Sequence, residues 1–100
     1  MSGDIPSVFT SAAEVRALFN SEVLPRVAEG RVQVVVLQEA PASRRSNQPR
    51  GTRSQILGYF DGGTMVARAH RFASMDETIG GSGLPDPKWV LHDGVILLAD

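Results

Sequence analysis

SQILGYFDGGTMVARAHRF, residues 54–72, decides the fold. Two runs with alternating apolar side chains flank Asp61-Gly62-Gly63, where glycine supplies the positive φ that tight hairpin turns demand. A three-residue loop over 61–63 sets Phe60 opposite Thr64, Gly58 opposite Val66, Ile56 opposite Arg68 and Ser54 opposite His70. Tyr59, Leu57, Gln55 and Arg53 then meet Met65, Ala67, Ala69 and Arg71 on the other face, because side chains alternate across a strand. Tyr59, Leu57, Met65, Ala67 and Ala69 read as the core face. The opposite face gathers Ser54, Arg68 and His70 at its far end. A two-residue Asp-Gly loop changes which rows share a face, yet Arg68 and His70 stay on one side of their own strand in either case.

Upstream, VQVVVLQ (32–38) is β-branched and apolar on both faces, the pattern of a central strand buried on at least one face. The stretch EAPASRRSNQPRGTR (39–53) follows, in which Pro41, Pro49 and Gly51 break regular structure. It reads as a long loop over 40–53 bearing Arg44, Arg45, Arg50 and Arg53. Loops of this length are usually functional or disordered. Two readings stand: a solvated connection, or an anion-contacting loop, since guanidinium groups pair bidentately with phosphate or carboxylate.

Nearer the N-terminus, Ser11-Ala12-Ala13-Glu14 fits a helix-starting capping box. Ala12, Val15, Leu18, Phe19, Val23 and Val27 then fall on one arc of an amphipathic helix. Pro25 has no amide hydrogen and clashes one turn back, so the helix kinks or restarts near Leu24. Gly30 is the stop signal. Residues 1–9, with Gly3 and Pro6, read as an irregular lead-in.

Downstream of the hairpin, ASMDETIGGSGLPDP (73–87) is turn-rich. Its glycines lack the Gly-Lys-Ser/Thr that a phosphate-cradling loop requires, so tight turns explain them. Asp86-Pro87 favours the start of a short helix carrying Trp89, Val90 and Leu91. The competing reading is a strand over 88–92 that turns at Asp93-Gly94 into a strand over 95–99. Together these elements predict a single α+β domain over 1–100. An N-terminal helix, kinked near Pro25, packs on a mainly antiparallel sheet of about four strands near 32–38, 54–60, 64–72 and 95–99.

At 100 residues, 42% hydrophobic and 21% charged, the chain is long enough for a modest core and too apolar for wholesale disorder. The absence of cysteine removes disulfides and thiolate chemistry. No apolar run approaches the roughly 20 residues that cross a bilayer, and no signal-peptide pattern is visible, so a cytoplasmic protein without a membrane partner is expected. The net charge of −1 argues against a general nucleic-acid binder. Its distribution is uneven, since residues 40–72 carry six Arg against Asp61 alone while both flanks are acidic.

His70 and His92 are the chain's two histidines and stand in no ligand-spaced motif, so neither a metal site nor a cofactor is expected. Ser54 opposite His70 lacks a third group and makes no triad. The candidate contact residues are Arg44, Arg45, Arg50, Arg53, Arg68, His70 and Arg71. They point to a binding or regulatory module without evident catalysis. Its partner is then a protein with an acidic surface or a second copy in a homodimer, with Tyr59, Phe60 and Trp89 as interface-type aromatics. An open sheet edge beside 95–99 offers a docking route. The alternative is an RNA- or DNA-phosphate-binding protein, or a small metal-independent ribonuclease with His70 moving the proton and Arg68 stabilising the phosphorane.

Overall fold

The computed structural model describes residues 5–43, 45, 47, 48, 50–73 and 85–100. The fold is α+β, with one N-terminal helical run packed on one face of a six-stranded mixed sheet. The strands are β1 (Ser7–Thr10), β2 (Val32–Pro41), β3 (Arg53–Asp61), β4 (Thr64–Ala73), β5 (Asp86–His92) and β6 (Val95–Ala99). They lie in the order β1-β6-β5-β4-β3-β2, antiparallel throughout except that β1 runs parallel to β6.

The helical run starts where the capping residues place it, with the Glu14 amide donating to Ser11 Oγ at 3.1 Å. Glu14 turns its carboxylate to the Thr10 hydroxyl at 2.6 Å. Helix α1 (Ala12–Leu18) passes into a π-helical turn over Phe19–Val23, and α2 (Leu24–Ala28) restarts with Pro25 in its first turn. The wider turn absorbs the amide that proline lacks and the clash of its ring one turn back. Gly30, at φ 80°, closes the run, as its amide reaches Val27 O and that of Arg31 reaches Arg26 O.

Val15, Phe19 and Val23 point from this run into the sheet and are at most 1% exposed. They meet Val32, Leu57, Tyr59, Ala67, Ala69 and Val90, so the expected core face of the hairpin is the covered one. The small side chains of Ala67 and Ala69 let the helix approach the sheet closely, and Phe19 fills the space against Tyr59. Among the described residues no helix packs on the other face.

Five expectations are corrected. The sheet has six strands, not about four. The lead-in contains β1, whose pairing with β6 is a long-range contact that local composition does not encode. The valine-rich β2 is an edge strand, and the strand over 95–99 is flanked on both sides and offers no free edge. Residues 86–92 form a strand, not a helical turn. Asp93 and Gly94, at φ 50° and 77°, supply the two left-handed positions of a tight hairpin turn into β6.

The central hairpin also turns differently. Gly62 and Gly63, at φ 57° and 93°, form a two-residue loop that leaves Asp61 opposite Thr64. A bulge then shifts the ladder, so Tyr59 faces Ala67, Leu57 faces Ala69 and Gln55 faces Arg71. The total slip from the expected pairing is two residues, which leaves both faces intact. The loop expected over 40–53 shortens to 42–52, because β2 runs on to Pro41 and the Ala42 amide still reaches Thr52 O at 2.9 Å.

Candidate functional site

The hairpin register divides the candidate residues between the two faces of the sheet. Arg53, Gln55 and Arg71 lie on the helix-side face, beyond the end of the helical run. Arg71 Nε donates to Gln55 Oε1 at 2.6 Å, and Gln55 Nε2 donates in turn to Glu39. Arg53 Nη2 closes on Glu39 Oε1 at 2.9 Å. One carboxylate and a buried amide thus join two guanidinium groups across three strands. The Gln55 hydrogen bond, opposed by desolvation and aided by Arg53 and Arg71, holds the Glu39 carboxyl below its ordinary range. The sequence reading missed Glu39 and Gln55. The signal for Gln55 is the odd-numbered row on β3 that also carries Leu57 and Tyr59, and Glu39 pairs with it from β2.

Arg68 and His70 lie on the uncovered face. Arg68 stands opposite Gly58 on β3 and Trp89 on β5, exposed to solvent. His70 Nε2 is 2.7 Å from Ser54 Oγ, and its ring meets Phe72 edge to face at 4.7 Å. Burial first, then the Lys88 charge, lowers the His70 pKa below its ordinary value of 6.5, with Asp86 pulling weakly the other way. That lowering favours the neutral ring, which shares a hydrogen bond with the Ser54 hydroxyl. Asp86 sits opposite His70, but its carboxylate takes Arg16 Nη2 at 2.9 Å and Lys88 Nζ at 2.8 Å. Ser54 and His70 thus meet as a pair whose adjacent carboxylate is committed to cations.

Arg45 and Arg50 belong to the loop over 42–52, at the same end of the sheet as Ser54 and Phe72. This loop frames an open concavity of about 870 Å³ lined by Ser43, Gln48, Arg50, Thr52 and Arg53 among others. Arg44 lies outside the described residues, as do the glycines at 80, 81 and 83. Among the described residues, Arg16, Arg26, Arg31 and Arg53 each have a carboxylate within reach, whereas Arg45, Arg50 and Arg68 have none. The described residues contain no group of three or more His, Asp or Glu side chains that could hold a metal ion. No helix among them is long and apolar enough to cross a membrane.

The uncovered face is also rich in large side chains. Alternation from the paired registers puts Phe9, Val35, Ile56, Phe60, Phe72, Trp89 and Leu98 on it with Arg68. Phe9 is 72% exposed. Compared with protein-family models, curated proteins and solved structures, the chain matches none.

Proposed function

We propose that this chain is a binding module whose contact surface is the uncovered sheet face centred on Arg68, extended by the loop arginines Arg45 and Arg50, and whose partner is a protein with an acidic surface. One observation carries the reading. Arg68 is exposed between Trp89 and the bare Gly58, with no carboxylate partner among the described residues. Arginine and aromatic side chains together are the residue types enriched where proteins meet. A guanidinium on an apolar background also favours bidentate pairing with an incoming carboxylate. Arg53 and Arg71 are a poorer basis for docking, because Glu39 and Gln55 already engage them.

A second reading rests on Trp89 beside the same arginine and on Phe72 further along that face against His70. Aromatic faces next to cations stack unpaired bases, so single-stranded nucleic acid is the alternative ligand, with His70 and Arg68 as its catalytic extension.

Trp89 is the chain's single tryptophan, which makes its fluorescence a local probe of this face. Titration with a poly-glutamate peptide is expected to change Trp89 emission, and Arg68→Glu to abolish the change. Response to oligo-uridine alone, weakening steeply with salt, selects the nucleic-acid reading instead. No response to either probe overturns both.

A further inference from the structure

The strand that closes one side of the sheet is its most apolar. β2 runs ten residues, and no other described strand pairs with its outer edge. Val34, Val35, Val36 and Leu37 are each 41–45% exposed there. Proteins normally blunt such an edge with lysine, proline or inward charge. Residues 32–38 contain no charge, and the first proline is Pro41. We infer that β2 pairs antiparallel with β2 of a second copy about a two-fold axis at Val35, making one continuous sheet from two chains. This goes beyond the docking role of the uncovered face and stands or falls separately from it.

The pattern along the strand points to a second copy as the occupant. Gln33 pairs with Phe60 and Gln38 with Ile56, so both glutamines lie on the uncovered face. Their spacing of five residues would put them on opposite faces of a regular strand. The bulge between Val36 and Gln38 returns Gln38 to the side of Gln33. Read outward from Val35, the edge carries Val34 and Val36 on the helix side, while the uncovered side has Gln33 at one end and Leu37 followed by Gln38 at the other. A two-fold operation sets Val35 on its own copy and Val34 on Val36. It sets Gln33 opposite Leu37 of the second copy, with Gln38 the next residue along. No like charges meet in this stretch, the usual obstacle to self-pairing.

Leu37 does not obstruct this arrangement. It leans back over its own sheet, so that a Cβ placed on Gly58 would come within 3.0 Å of one Leu37 methyl. The opposite edge is a poorer partner. β1 has only four residues, and pairing it with β2 of another copy would leave free edges that propagate without closing. The self-paired arrangement closes as a dimer and consumes the exposed edge.

Sedimentation equilibrium of the full chain is expected to give twice the 10.7 kDa chain mass. Val35→Lys, which sets two ammonium groups together on the axis, returns it to the single mass with unchanged circular dichroism. Mixing Val35→Lys with Val35→Glu restores the doubled mass. In the unsubstituted chain, amide exchange provides a reading that needs no variant. Every amide over 32–36 is protected in the paired dimer, whereas alternate amides exchange fast on a free edge. A single-mass species at all concentrations, a dimer indifferent to Val35→Lys, or alternating fast amides in β2 overturns the inference. Arg68→Glu leaves the dimer intact. A monomer whose Trp89 still responds to poly-glutamate sinks the β2 pairing alone.

Discussion

Phe19 meets Tyr59 edge to face, with ring centroids 5.0 Å apart and ring planes at 88°. Phe19 comes from the π-helical turn and Tyr59 from the central hairpin, so this contact fastens the helical run to the sheet. Phe19 is 1% exposed and Tyr59 2%. Phe19→Ala is expected to cost about 3–5 kcal/mol, the range for a buried aromatic replaced by a small side chain. Urea unfolding measures it, and a loss under about 1 kcal/mol would mean that the turn is not anchored by this ring.

Gly58 and Leu37 form a second coupled pair. A Cβ at Gly58 would lie 2.8 Å from a Phe60 ring carbon and 3.0 Å from a Leu37 methyl. Gly58→Ala is expected to destabilise by about 1–3 kcal/mol through overpacking. Trimming the obstacle in Leu37→Ala/Gly58→Ala recovers part of that loss, giving a coupling of about 0.5 kcal/mol or more in a double-mutant cycle. Strict additivity would show that Leu37 swings clear at no cost.

The two histidines titrate in opposite directions. Glu22, through its hydrogen bond at 3.0 Å to Nδ1, raises the His92 pKa above 6.5, whereas burial lowers that of His70. For His92, stability from protonation is fully present below pH 6.5 and is lost as pH rises through the folded value. For His70 the stability is present above pH 6.5 and is lost as pH falls through the folded value. The two losses fall on opposite sides of pH 6.5 and global unfolding does not assign either to its residue, so the test is site-resolved NMR titration of the imidazole resonances. His92 is expected above 6.5 and His70 below it, with Glu22→Gln returning His92 toward 6.5. Identical midpoints would contradict both environments.

Gln55 is 7% exposed and holds the chain from Arg71 to Glu39. Gln55→Ala is expected to cost about 1–3 kcal/mol, because a buried amide is lost and its partners are left without their bond. The same variant raises the Glu39 pKa toward its ordinary value of 4.5, since the Gln55 hydrogen bond is the main cause of its depression. Stability owed to ionised Glu39 is present above pH 4.5 and lost as pH falls through the folded value. Carboxyl titration by NMR in both proteins checks the shift.

Much of this architecture was legible in local chemistry. Ser11 and Glu14 start the helical run, Gly30 ends it, and Leu57, Tyr59, Ala67 and Ala69 form the covered face of the hairpin. The hairpin's loop begins one residue later than the Asp61-Gly62-Gly63 pattern suggests, and the bulge beside Phe60 brings the slip to two, which preserves faces. What local chemistry could not carry was long-range pairing. β1 is a strand because β6 lies beside it, and residues 86–92 are a strand because β4 and β6 flank them, despite the helix-starting Asp86-Pro87. The apolar run over 32–38 looked central because nothing in it distinguishes burial on two faces from exposure at an edge. At the site, alternation puts Ser54 and His70 on one face, but Ser54 pairs with Phe72 and not with His70, so their contact is diagonal. Alternation also separates Arg68 from Arg71, which are three residues apart on one strand. The engagement of Arg53 and Arg71 by Glu39 and Gln55 required the fold.

Amide shift mapping on the labelled full chain, titrated with poly-glutamate peptide, tests the contact surface most directly. The expected result is perturbation of Arg68, His70, Phe72 and the Trp89 indole, with Val15, Phe19 and the other residues beneath the helix unmoved. Shifts confined to Arg53 and Arg71 on the helix side, or none at all, would contradict a contact surface centred on Arg68.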